Sequence, residues 1–271
     1  EMYNRYKFRI MYGVFAGACL LSNLVFLLMP AKNVQNSIAV PSKNNLTFSD
    51  QMKKIFHTFT DIRALELTPL FCFIGLSTSF FLGAYPASLI FTRSLTGYVY
   101  LPALYLATVG VGEILMGIII SVAASRLSNT FAQLPCLIIG SILFLTAMVL
   151  ALLTTPPMAI NSPSNDPTPL LDPNPIICLV IALLLGMSDN CFNTSRTVLC
   201  ALVIPDNIVK VYSMSKFFQN LASSIVYFCM SMIYMPVYIG LVSFFSILSI
   251  FFYWRASART IRNEKEVPFL I

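Results

Sequence analysis

The sequence predicts an all-α fold, a polytopic membrane helix bundle. Three observations carry this. Of 271 residues, 57% are hydrophobic and only 10% are charged, whereas a soluble domain carries about 25% charged residues. Mean hydropathy is +0.79. Apolar runs of spanning length recur along the chain, and most of the polar connections between them are short.

A spanning helix needs about 20 mostly apolar residues. Seven runs qualify: 10–29, 67–91, 98–122, 133–154, 176–204, 212–235 and 237–254. The polar stretch 30–64 separates the first from the other six. The turn before the last run is tight, with Pro236 opening the final helix. At the start, the basic YNRYKFR leads into an apolar run of full spanning length without a small-residue cleavage site, so no signal peptide is expected. The chain is expected to begin within a longer protein.

Lys and Arg set the expected orientation. Numbering the sides alternately, one side holds Lys32, Lys43, Lys53, Lys54, Arg63, Arg126, Lys210, Lys216, Arg255, Arg259, Arg262 and Lys265. The other holds Arg5, Lys7, Arg9 and Arg93. The first side is expected to be cytoplasmic, together with the loop 30–64 and the tail 255–271. The N-terminal trio is an exception to this pattern. The connection TPPMAINSPSNDPTPLLDPNP, 155–175, has seven prolines and neither Lys nor Arg, which suits a non-helical, non-cytoplasmic loop. It divides the six later runs into groups 67–154 and 176–254, the arrangement of two three-helix units in inverted-repeat transporters.

Within 30–64, Phe48, Met52, Ile55, Phe56 and Phe59 fall on one face of FSDQMKKIFHTFTDIR. This predicts an amphipathic helix on the inner leaflet, with Lys53 and Lys54 toward anionic headgroups. His57, the only histidine, lies outside every span and reads as an interfacial residue. The seven cysteines lie inside apolar runs and form neither a CxxC pair nor a Cys/His cluster. No disulfide framework, metal site or cofactor is expected. No phosphate-cradling loop, HExxH or serine elbow is present, so no enzyme is expected. Nor is there a basic-aromatic surface for nucleic acid.

Ionisable groups inside a span must face protein, water or a partner. Glu113 lies mid-span in TVGVGEILMG, flanked by Gly110, Gly112 and Gly117. It reads as a binding or coupling carboxylate, or as a structural hydrogen-bonding group. In LGMSDNCFNTSR, Asp189, Asn193, Arg196 and Cys200 follow i, i+4, i+7, i+11 and share one helix face. Two readings of Arg196 stay open. Its head group approaches Asn193 or Asp189, or it snorkels to the cytoplasmic interface. In SMSKFFQNLASS, Lys216 lies near the helix end as an anchor, while Gln219 and Asn220 are deeper and suited to interhelical hydrogen bonds. The stretch GLSTSFFLGAYP, with Ser77, Thr78, Ser79, Gly83 and Pro86, predicts an irregular helix, a gate or a packing feature. The candidate substrate or coupling site is Glu113, Asp189, Asn193, Arg196 and Gln219, with Ser77 and Lys216 secondary.

The stretches GLSTSFFLGAYPAS, VGVGEILMG, LLLGMSDNCFNT and YSMSKFFQNLASS, in this order and spacing, resemble the Unc-93-like branch of the major facilitator superfamily. The resemblance covers nearly the whole chain. It implies the C-terminal half of a major facilitator fold plus one preceding span, with 30–64 as the central cytoplasmic loop and five further spans upstream. It also implies two departures. Ser77 stands where the family tends to have a glutamate, and Arg196 where it usually has an apolar residue. The basic loop motif is degenerate in ASRLSNTFAQ, which keeps Arg126 but lacks the acid. The partners implied are the lipid bilayer, the N-terminal half of the same protein and, since family members regulate potassium channels or accompany receptors, a channel or receptor. Two functions follow: a solute carrier with a midplane polar site, which the stripe on 185–196 favours, and a non-transporting accessory subunit, which the two motif losses favour.

Overall fold

The computed structural model describes residues 2–28, 53, 59–60, 65–126, 134–163, 168–203 and 208–266. Most of the expected amphipathic helix in 30–64 lies outside these residues. The described chain is helical and forms two units, Glu1–Ser49 and Asp50–Ile271. Among its described residues, the first unit holds one helix, α1 (Met2–Leu28).

In the second unit, α2 (Thr68–Ser79) passes through a π-helical turn, Phe80–Ala84, into α3 (Tyr85–Phe91). Then come a short 3-10 turn at Arg93–Leu95, α4 (Leu101–Arg126), α5 (Leu134–Thr154), α6 (Pro175–Val203), α7 (Ile208–Cys229), a 3-10 turn at Met230–Met232 and α8 (Met235–Glu266). Packing is pairwise: α6 lies against α4 and α5, α2 against α7 and α8, and α8 against α5.

Among the described residues, five helices are long and apolar enough to cross a membrane: Thr68–Phe91, Leu101–Arg126, Leu134–Thr154, Pro175–Ala201 and Met235–Ala258. Seven were expected. The run 10–29 lies on α1, where the described apolar stretch is Tyr12–Val25. Helix α7 has 22 residues, about 33 Å at 1.5 Å per residue, enough to cross a core of about 30 Å. Its composition is too polar, because Lys210, Ser213, Ser215, Lys216, Gln219, Asn220 and Ser223 interrupt it. A second difference is at the C-terminus. Helix α8 continues through Glu266, past the apolar boundary at 254, because RASARTIRNEKE contains neither Gly nor Pro and carries good helix formers.

Two close helix approaches fix the second unit. At the α4–α6 crossing, a Cβ on Gly186 would meet the Val109 carbonyl, and one on Gly112 would meet the Leu183 carbonyl. The two backbones touch through small residues, the interface chemistry that lets membrane helices approach without a hydrophobic driving force. At the α2–α7 crossing, Gly75 sits under the Gln219 carbonyl, and Ser223 Oγ donates to the Gly75 carbonyl at 2.8 Å.

The irregularity expected in GLSTSFFLGAYP is the π-helical turn. Pro86, in the first turn of α3, has no N–H and crowds the carbonyl four residues back, and the widened turn accommodates this. Buried tyrosines satisfy backbone oxygens around it. Tyr105 Oη donates to the Phe81 carbonyl at 3.1 Å, and Tyr238 Oη lies 3.0 Å from the Leu76 carbonyl and 3.1 Å from Ser79 Oγ. The core between α2, α5 and α6 is aromatic: Phe73 meets Phe144 and Phe192 edge-on at 5.5 and 4.8 Å. The proline-rich connection docks on the turn before α8, where Met235 N donates to the Pro157 carbonyl and Asn161 Nδ2 to the Ile233 carbonyl.

Candidate functional site

Helix α6 enters with the apolar run PIICLVIALLLG and becomes polar at Ser188. Its 29 residues extend about 43 Å, so the polar segment falls in its second half. Helical phase puts Asp189, Asn193 and Arg196 in line, and their side chains bond in that order. Asn193 Nδ2 donates to Asp189 Oδ2 at 2.7 Å and to the Asp189 carbonyl at 3.0 Å. Arg196 Nη2 donates to Asn193 Oδ1 at 2.7 Å. The orientation of the Asn193 amide follows from its neighbours, since the carboxylate only accepts and the guanidinium only donates.

The chain of bonds then leaves α6. Arg196 Nη1 donates to Gln219 Oε1 on α7 at 2.6 Å, and Lys216 Nζ donates to the same oxygen at 3.3 Å. Gln219 Nε2 donates to Thr78 Oγ1 on α2 at 3.4 Å, and Thr78 Oγ1 donates to the Ile74 carbonyl at 2.8 Å. One polar relay therefore joins three helices. Arg196 is 2% exposed and is the largest fully buried side chain among the described residues. Its Nε has no hydrogen-bond partner among the described residues. The guanidinium carbon lies 5.4 Å from the centre of the Tyr212 ring, and Lys216 Nζ lies 5.8 Å from it, within the range of a cation–π contact.

An open cleft of about 460 Å³ borders this relay, lined by Asn190, Asn193, Thr194, Arg196, Thr197, Val198, Tyr212 and Lys216. All eight come from α6 and α7. Asn190 also ties α6 to α4, because its Nδ2 donates to the Glu113 carbonyl at 3.0 Å and its Oδ1 accepts from Thr194 Oγ1 at 3.3 Å.

The structure thus brings Asp189, Asn193, Arg196, Gln219 and Lys216 together in one relay. Glu113 reaches it through its backbone carbonyl and through the charge interaction of its carboxyl with Asp189, and neither Glu113 nor Asp189 lines the cleft. Ser77 is buried, and its Oγ has no hydrogen-bond partner among the described residues; the neighbouring Thr78 joins the relay instead. Asn220 faces outward. Tyr212 is a participant that the sequence pattern does not single out. The available signal was its position one turn before Lys216, where an aromatic ring can sit beside a cation. Among the described residues, no three His, Cys, Asp or Glu side chains gather as metal ligands.

Residues 1–254 match the family described as Ion channel regulatory protein UNC-93. The chain belongs to the UNC-93 family. Two relatives named UNC93-like protein MFSD11, from Xenopus laevis and Xenopus tropicalis, are each 25% identical to this UNC-93 chain over 211 residues. The match covers 74% of this chain and 46% of theirs, so the chain spans about half the length of the relatives it matches. No solved structure matches it. Membership and the five apolar helices make this an integral, multi-pass membrane protein of the UNC-93 family.

Proposed function

We propose that the chain supplies the binding half of a solute carrier, with Asp189, Asn193, Arg196 and Gln219 as its midplane polar site and Lys216 at its edge. The observation that carries this is Arg196, a 2%-exposed charge within a span, bordering a cleft of about 460 Å³. A charge inside a membrane segment costs at least about 2.5 kcal/mol, and such residues commonly mark solute or ion pathways. In this reading the more basic side of the chain, including the end of α8, lies in the cytoplasm.

Uptake into proteoliposomes containing the full-length protein tests the proposal, using solutes chosen because they raise its melting temperature. Asp189→Asn is expected to lower uptake at least tenfold, about 1.4 kcal/mol, at unchanged protein yield. Unchanged uptake would remove Asp189 from the mechanism.

The family description, ion channel regulatory protein, supports a second reading, an accessory subunit that regulates or escorts a channel or receptor. That reading expects a stoichiometric partner to co-purify from membranes and no solute to change the melting temperature.

A further inference from the structure

We infer that the cleft between α6 and α7 receives an anionic oxygen group, a carboxylate or phosphate carried by the ligand. The inference rests on the solute-carrier reading and specifies the chemistry of its substrate.

Among the described residues, the lining includes two cations, Arg196 and Lys216, and no acid. Asp189 lies one turn back, engaged by Asn193. Among the described residues, the acceptors of Arg196 are neutral amide oxygens, on Asn193 and Gln219. Amide oxygens satisfy N–H groups without cancelling the charge, and the Asp189 carboxyl acts on Arg196 and Lys216 at longer range than a direct contact, so an anion in the cleft adds the close opposite charge that a low-dielectric setting rewards.

The arrangement is also prepared for an anion geometrically. Lys216 and Arg196 share one acceptor, Gln219 Oε1, and one aromatic ring, Tyr212. Two like charges held that close repel each other, and an anion between them relieves the repulsion. A guanidinium has five donors in a planar fork suited to carboxylate and phosphate oxygens. Two nitrogens are engaged here, and Nε has no hydrogen-bond partner among the described residues. The Asn190 amide lines the same cleft and spends one of its two N–H groups on the Glu113 carbonyl, which leaves the other for a bound oxyanion.

The test uses full-length protein purified in a neutral detergent at fixed ionic strength. The probes are benzoate, benzamide and benzylammonium, matched in shape and carrying negative, zero and positive charge. A parallel arm compares phosphatidylglycerol with phosphatidylcholine nanodiscs. Benzoate is expected to raise the melting temperature in a saturable way, and benzamide and benzylammonium are not. Arg196→Gln should weaken the apparent benzoate affinity at least tenfold. Lys216→Gln, at a half-buried position where folding is less at risk, should weaken it severalfold. A shift with phosphatidylglycerol alone keeps the anion, assigns it to a lipid headgroup and overturns the solute-carrier reading. Equal stabilisation by benzamide or benzylammonium overturns the anion and keeps the carrier. No shift with any anion, or a benzoate shift that survives both substitutions, overturns the inference.

Discussion

Gly186→Val is expected to cost about 3 kcal/mol of stability or more, while Gly110→Val is expected to cost about 1 kcal/mol or less. Both glycines lie within spanning helices, and both substitutions introduce the same branched side chain. They differ in what the new atoms meet. At Gly186 the first added carbon falls on the Val109 carbonyl of α4, whereas at Gly110 nothing lies within 4 Å. A side chain can rotate away from an intruding methyl, but a helix carbonyl already bonded within its own ladder moves only with the helix. Overpacking of a filled interface costs about 1–3 kcal/mol where side chains yield, and this contact has none to yield. Gly112 contributes the reciprocal contact on Leu183 and Met187, so the crossing has no slack on either side. The site depends on this register, because Asn190 reaches the Glu113 carbonyl only at this separation. Thermal unfolding of the two variants in the same lipid measures the difference, and equal losses would contradict backbone contact at the crossing.

Gln219→Leu is expected to destabilise by about 2–3 kcal/mol, the range for a lost hydrogen bond to a charged group, because it removes one of the two acceptors of the buried guanidinium. The stronger statement concerns rescue. If the cost comes from an unsatisfied charge, then adding Arg196→Met to Gln219→Leu should restore most of the loss, since removing both partners of a buried polar contact is far less costly than removing one. A double-mutant cycle of Arg196→Met and Gln219→Leu measures this coupling. Additive losses would mean that Arg196 and Gln219 do not interact in the membrane.

The apolar runs at 67–91, 98–122, 133–154, 176–204 and 237–254 were legible because the bilayer imposes both length and hydropathy on a span. Helix α7 was legible as a helix, but the side chains it directs to Arg196 and Thr78 lower its apolarity. The π-helical turn was legible as irregularity, since Gly83 and Pro86 within a span need local relief, but its helix type was not. The end of α8 was not legible from hydropathy, which stops at the membrane boundary while helix propensity continues to Glu266.

At the site, the alignment of Asp189, Asn193 and Arg196 follows from helical phase alone. The bond from Arg196 to Gln219 does not, because it spans 23 residues and depends on which face of α7 meets α6. Glu113 shows the limit of reading polarity by depth. Gly112 and Met116 are buried in the packed face of α4, and the adjacent residue is rotated about 100° from Gly112. Glu113 is therefore half-buried and meets the site through its backbone carbonyl.

The central claim is that the cleft beside Arg196 is open to water and solute. Labelling Thr197→Cys with a membrane-impermeant thiol reagent tests it most directly, in a full-length protein whose exposed Cys19 and Cys229 are serine. Thr197 lines the cleft, whereas Ile118 is an exposed apolar residue on α4 at 57% and serves as the lipid-facing control. Rapid labelling of Thr197→Cys with no labelling of Ile118→Cys is the predicted result. Labelling that fails at 197, or that is equal at both positions, would contradict an aqueous site.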